Sequence, residues 1–285
     1  MRGGSLIHMD LNFTEAFTER TPRVVNSAKL LRAAARRKAK RFLVEGFNAV
    51  DAAVATGAAE DVFVTEDAAH RYADVVKAAL NLGGYVHPIT EKAAKSLSDT
   101  VTSPGIFATC RPVLWSTGQI MNGKPSLVSV PVETADPGNA GTLIRLSDAL
   151  GADAVVFAGN TVDPQSPKVV RSSAGSIFHV PVVREQNVQS VLGQIRKAGL
   201  TVVATAADGE VPLDEAARPG GLLSGPTAWL FGNEAHGLPD ELLDQADVRV
   251  RIPILGRAES LNLATAASIC LYESARALAR ERQGE

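Results

Sequence analysis

The chain has 285 residues, 45% hydrophobic and 21% charged, an ordinary globular composition with length enough for two domains. No window reaches the ~18 uninterrupted apolar residues of a membrane span. The N-terminus MRGGSLIHMDLNF lacks an apolar core of signal-peptide length, so a cytoplasmic protein without a membrane partner is expected.

Residues 1–9 enter none of the predicted elements. The first part then alternates helix (about 24–38), strand (41–45), helix (47–56), strand (61–65), helix (67–82) and strand (84–87), followed by short apolar segments between Gly105 and Pro112. The first helix and the start of its strand carry Lys29, Arg32, Arg36, Arg37, Lys38, Lys40 and Arg41 with no acidic residue between them. A solvated helix face is the plainer reading of such a run. Its density makes RNA a serious partner, with Arg32, Arg36, Arg37, Lys40 and Arg41 as the contacts. The net charge of −2 hides the asymmetry: residues 1–124 hold 16 Lys+Arg against 12 Asp+Glu, and residues 125–285 hold 13 against 19.

The polar stretch WSTGQIMNGKPS suggests a linker, which sets an N-terminal domain at 10–114, a linker at 115–125 and a second domain at 126–285. The second domain opens with a strand at Leu127–Val132. A loop holding Asp136, Gly138, Asn139 and Gly141 leads into a helix from about Thr142 to Leu150, and a strand follows at Ala154–Phe157. Further βα units reach Val202–Ala204 and Ala228–Phe231, Arg249 to Ile254 alternate in the manner of a strand whose ladder ends at Pro253, and a helical pattern starts at Leu263. The class is α/β throughout. Cys110 and Cys270 have no Cys or His at metal-ligand spacing and are expected to be buried free thiols, with no metal site.

Three constellations stand out. Gly138 and Gly141 lack the third glycine of a dinucleotide fingerprint, and no phosphate loop, H-E-x-x-H or G-x-S-x-G motif occurs. Asn139 and Arg145 admit two readings: both face a ligand at the sheet's C-terminal edge, or Asn139 caps the helix and Arg145 pairs with Asp148. In WLFGNEAHGLPDELL a strand ends in Gly232 and leaves backbone groups open for a small ligand, while His236 reads as a loop residue without catalytic duty. In RIPILGRAESLNLATAAS, Glu259, Ser260 and Asn262 precede a helix that needs one capping residue, so polar groups remain that capping does not explain.

Taken together, DPGNAGTLIRLSDALGADAVVF, LFGNEAHGLPDEL and VRIPILGRAESLNLATAASICLYE resemble, in order and spacing, the motifs of the SpoU (TrmH-type) RNA 2′-O-ribose methyltransferases of the SPOUT superfamily. Residues 23–111, most clearly RFLVEGFNAVDAAV, resemble the L30e-like RNA-binding domain that precedes the catalytic domain in some members. The resemblance implies a small L30e-like α/β domain followed by a SPOUT α/β domain with a deep C-terminal trefoil knot. It implies S-adenosyl-L-methionine bound near Thr205, Ala206, Gly232, Asn233, Ile252 and Leu261. It further implies Asn139, Arg145, Glu234, Ser260 and Asn262 at the reaction site, with Arg145 reaching the cofactor of the other subunit of a homodimer and Asn139 and Asn262 orienting Arg145 and the ribose. Ribosomal RNA, 23S first, is the expected substrate and tRNA the second. The competing readings are base methylation and a non-catalytic RNA-binding or ribosome-assembly protein of the same fold.

Overall fold

The computed structural model describes residues 11–284; residues 1–9 of the opening segment lie outside that range. The chain divides into two compact units between Pro112 and Val113.

In the first unit, helices α1 (Pro22–Lys29) and α2 (Ala33–Ala39) replace the single expected helix. The break has an identifiable cause. Arg36 is 7% exposed, and its Nη1 donates to the carbonyls of Leu30 and Leu31 at 3.0 and 3.1 Å, satisfying groups left open beyond the end of α1. This corrects the expectation that Arg36 faces RNA. Then follow β1 (Phe42–Glu45), α3 (Phe47–Ala55), β2 (Ala59–Val64), α4 (Glu66–Arg71), α5 (Ala73–Asn81), β3 (Tyr85–Pro88), α6 (Glu91–Leu97) and β4 (Ile106–Cys110). The sheet order is β1-β4-β2-β3, with β4 antiparallel to both neighbours. Val24, Leu43, Phe63, Leu97 and Phe107 form a core on one side.

The second unit opens with β5 (Leu114–Trp115) and α7 (Thr117–Asn122), inside the stretch expected to be a linker. Ser116 and Gln119 form a reciprocal capping box that starts α7. The elements β6 (Leu127–Pro131), α8 (Pro137–Ala149), β7 (Ala154–Ala158), α9 (Pro167–Ser172), β8 (Val182–Glu185), α10 (Val188–Lys197), β9 (Thr201–Thr205), β10 (Val211–Pro212), α11 (Leu213–Ala216), β11 (Thr227–Phe231), α12 (Asp240–Leu243), β12 (Val248–Arg251) and α13 (Leu263–Gln283) complete it. All eight strands are parallel, in the order β10-β12-β9-β11-β6-β7-β8-β5. Both faces are covered, which is why β6, β7 and β11 are buried at every position. On one face Val128, Val130 and Leu230 pack with Leu192 and Ile195 of α10 and Ile120 and Met121 of α7. On the other, Trp229 and Phe231 pack with Leu143 of α8 and Cys270 and Leu271 of α13. Cys110 and Cys270 are both buried free thiols, and burial pushes both thiols up.

A chain beginning at Val113 should fold, whereas one beginning at Pro125 loses Ile120 and Met121 from the core. Their burial is worth about 1.5–3 kcal/mol each, so thermal melts should show the shorter chain markedly less stable.

Beyond the strand ends the chain crosses itself at close quarters. β12 lies between β9 and β10, so the connection 206–210 between those two strands must pass over it. Ala206 N–H donates to the Val250 carbonyl at 3.0 Å, and Arg251 Nη1 donates to the Gly209 carbonyl at 2.6 Å. A Cβ on Gly209 would sit 2.7 Å from the carbonyl carbon of Val250, so only glycine permits this approach.

Candidate active site

Because every strand of the large sheet points the same way, the segments leaving β6, β9, β11 and β12 emerge at one edge. Sequential connections reverse direction there, and that is where open α/β sheets hold ligands. A cavity of about 570 Å³ lies at this edge. Thr205 and Ala206 come from the end of β9, Gly232, Asn233 and Glu234 from the loop after β11, and Ile252, Ser260, Leu261 and Asn262 from the segment between β12 and α13. Asn139, in the first turn of α8, completes that group.

Each contributor is held by local structure. Asp136 caps α8, its Oδ1 accepting from Asn139 N–H at 2.7 Å, and Pro137 occupies the first helical position. The helix therefore begins five residues earlier than the sequence suggested, and Gly138, Asn139 and Gly141 are helical rather than loop. Gly141 is a packing residue: a Cβ there would lie 2.4 Å from Ser172 Cβ of α9. The loop after β11 is closed by reciprocal backbone bonds between Asn233 and Gly237, both 2.9 Å, with Gly237 at φ +69°. Asn233 Nδ2 donates to the Glu133 carbonyl at 2.6 Å, and its Oδ1 accepts from Ala235 N–H. Gly232 has no alternative, since a Cβ would stand 2.3 Å from the Gly237 carbonyl carbon.

The side chains of Glu234, Asn139 and Asn262 form a continuous chain. Asn139 Nδ2 donates to Glu234 Oε1 at 3.1 Å, and Asn262 Nδ2 donates to Asn139 Oδ1 at 3.2 Å. Asn262 also caps α13, its Oδ1 accepting from Ala264 and Thr265 N–H groups. Capping thus uses one end of this side chain and the network the other, which accounts for part of the polar excess before α13. Asn139 and Asn262 engage Glu234 and each other, not Arg145. Arg145 lies on α8 outside the cavity, exposed, and makes no hydrogen bond or ion pair among the described residues. The pairing with Asp148 does not form; His179 Nδ1 takes that carboxylate at 3.0 Å. His236 is exposed in the loop and does not line the cavity.

The electrostatics narrow the ligand. Among the described residues the lining holds two carboxylates, Glu234 and Glu259, and no Lys or Arg. Such a wall disfavours a di- or triphosphate and suits a cation. Apolar surface from Ala206, Val250, Ile252, Leu261 and Leu263 supplies the rest, in the size range of small-molecule sites. S-adenosyl-L-methionine, with its sulfonium and amino cations and flat adenine, fits this combination. Glu259, Ala207, Ala235 and Ile254 also line the cavity, and of these only Glu259 carries a signal in the sequence, as a polar residue in a turn.

Residues 126–272 match the SpoU rRNA Methylase family, and residues 21–108 match the MRM3-like substrate binding domain. The chain belongs to the SpoU rRNA methylase family. It is 33% identical over 238 residues, 83% of this chain and 89% of the relative, to the 23S rRNA (guanosine(2553)-2'-O)-methyltransferase RlmP of Bacillus subtilis. Among solved structures it is similar to the AdoMet-bound rRNA methyltransferase from Sinorhizobium meliloti, with a TM-score of 0.78 and 31% identity over 90% of this chain and 95% of that one. The SpoU methyltransferase AviRb from Streptomyces viridochromogenes, in complex with the cofactor AdoMet, has a TM-score of 0.78 and 27% identity over 93% of this chain and all of that chain. The cavity at the strand ends lies within the residues matched by the SpoU family, and the residues matched by the substrate binding domain fall in the first unit. No described helix is long and apolar enough to cross a membrane, and no described group of three His, Cys, Asp or Glu is placed to hold a metal.

Proposed function

We propose that the chain transfers the methyl group of S-adenosyl-L-methionine to a ribose 2′-hydroxyl of 23S rRNA, working as a homodimer. The observation that carries the reading is the cavity without cations at the strand ends, joined to the Glu234–Asn139–Asn262 chain. The names of the relatives support 23S rRNA as the substrate. The passage of 206–210 over β12 supports the trefoil knot as the origin of the close crossing.

The cofactor supplies an electrophilic methyl on sulfur; the protein's task is to align the attacking oxygen and favour loss of its proton. Thr205, Ala206, Gly232, Asn233, Ile252 and Leu261 hold the cofactor. Asn139 and Asn262 fix the Glu234 carboxylate against the reaction site, and Ser260, which has no hydrogen-bond partner among the described residues, remains available to the ribose. Arg145 is a guanidinium and a poor proton acceptor. Its place off its own cavity and its lack of an internal partner support a role at the cavity of the other protomer, binding the phosphate beside the target and stabilising negative charge developing on the 2′-oxygen.

Mapping ribose methylation in 23S rRNA and tRNA from cells with and without the protein tests the assignment. Loss of one 2′-O-methyl group from 23S rRNA is the expected result. An unchanged map, together with no heat of S-adenosyl-L-methionine binding in calorimetry, overturns it in favour of a non-catalytic RNA-binding protein.

Asn262→Ala should lower turnover about a hundredfold by releasing Asn139 and Glu234, while the lost cap costs only ~1 kcal/mol. Asn262→Asp separates the two roles. It keeps the cap and its melting temperature yet removes the donor to Asn139, so turnover should stay low. Full activity of the Asp variant would reduce Asn262 to a cap.

A further inference from the structure

The first unit contains a second cavity, of about 770 Å³, which the methyl-transfer site does not use. Its floor is the start of β2 with Thr109 of β4, one wall is α1, and the opposite wall is the end of α5 with the turn at Gly83 and Gly84. The charged groups at its base are balanced. Arg23 Nη1 and His87 Nε2 lie 2.5 and 2.8 Å from Asp61 Oδ1, Thr109 Oγ1 donates to Asp61 Oδ2 at 3.2 Å, and Arg41 pairs with Glu60. Burial pushes the Asp61 carboxyl up, but the His87 hydrogen bond and the Arg23 charge outweigh it and hold it below the usual range. The base is therefore a fixed polar surface rather than an open charge.

The rim has a different character. A run of near-parallel rings, Phe17 against His87 at 5.0 Å and His87 against Tyr85 at 6.4 Å and 9°, ends in Tyr85, which is 67% exposed. The Arg23 guanidinium lies 5.8 Å from the Tyr85 centroid. Asn26, whose Oδ1 accepts from Lys29 Nζ, keeps its amide hydrogens for a ligand edge. Ala39 and Arg41 bring the end of α2 to the same rim, and the neighbouring Arg37, Lys38 and Lys40 are exposed with no ion pair among the described residues. An exposed ring for stacking, a polar floor and free cations beside the mouth are what a single unpaired nucleotide within a strand requires: a π face, hydrogen-bonding edges and flanking phosphates.

We propose that this cavity holds one unpaired nucleotide of the RNA substrate, its base stacked on Tyr85 and its flanking phosphates against Arg37, Lys38 and Lys40. The assignment rests on the reading that the chain acts on RNA, and it names where the first unit holds that RNA. Stacking is tolerant of sequence, so this contact anchors the strand rather than selecting the methylated base.

The test uses the full-length chain and a fluorescein-labelled 12-nucleotide single-stranded RNA of mixed sequence, with anisotropy measured over a range of salt. Tyr85→Ala should weaken binding by roughly five- to a hundredfold with the salt dependence unchanged, because stacking releases no counterions. Tyr85→Trp should restore the affinity. Lys40→Ala should instead flatten the logarithmic salt slope by about 0.7. None of the three should alter the affinity for S-adenosyl-L-methionine. Wild-type affinity in Tyr85→Ala overturns the assignment, as does displacement of the RNA by free AMP at equal concentration, which would make the cavity a mononucleotide site. A wild-type chain that methylates 23S rRNA but does not bind the 12-mer overturns the cavity assignment alone. One that neither methylates nor binds RNA overturns the reading beneath it.

Discussion

Arg145→Ala should lower kcat for methyl transfer by about 10²- to 10³-fold, the cost of removing one preorganised donor from a developing oxyanion. Its S-adenosyl-L-methionine affinity should be unchanged. Arg145 does not line the cavity of its own chain, and it makes no internal ion pair that its loss would leave unbalanced. As an exposed helix residue it can be replaced by alanine without loss of stability. Calorimetry and single-turnover kinetics on one preparation separate the two effects. Mixing gives a sharper result. If the arginine serves the other protomer, combining the Arg145→Ala and Asn262→Ala chains creates mixed dimers with one complete site, recovering about a quarter of wild-type activity in a statistical exchange. No recovery would mean that Arg145 acts within its own chain.

Gly209→Ala is the second large effect expected. The added methyl would meet the Val250 carbonyl carbon at 2.7 Å, Arg251 N at 2.8 Å and the Arg249 carbonyl oxygen at 2.9 Å. All three are backbone atoms of β12, so no side-chain rotation relieves the contact. The 206–210 segment would have to lift, losing the Ala206–Val250 and Arg251–Gly209 bonds and displacing Ala206 and Ala207 from the cavity wall. A loss of about 3 kcal/mol of stability is expected, with cofactor affinity falling at least tenfold. Gly193→Ala is the control. Gly193 lies within α10 with open space where a Cβ would go, so alanine should raise stability by roughly 0.5–1 kcal/mol. Equal melting temperatures for the two variants would show that the crossing is not tight.

The cavity at the strand ends was legible in the sequence because residues of unusual type line it: Gly232 and Asn233 after a buried strand, and Ser260 and Asn262 before a helix. The start of α8 was also written there, in Asp136 and Pro137, but Gly138 and Gly141 so close to it read as loop. In Ser116 and Gln119 the capping box of α7 was likewise present and was masked by the polar composition around it. Arg36 carried no such signal. Whether a cation in a basic run faces water or folds back on a neighbouring turn depends on which carbonyls are left open, and composition does not report that. The crossing over β12 joins residues 41 or more positions apart, beyond any local pattern. The tie between Asn139 and Asn262 spans 123.

If S-adenosyl-L-methionine binds in this cavity as proposed, its wall without cations has a consequence for the end of the reaction. Methyl transfer turns a sulfonium into a neutral thioether, so the spent ligand carries one positive charge fewer than the incoming one. Glu234 and Glu259 then face a ligand they attract less, although both are exposed and the difference is softened by water. The same wall that favours loading therefore favours discharge.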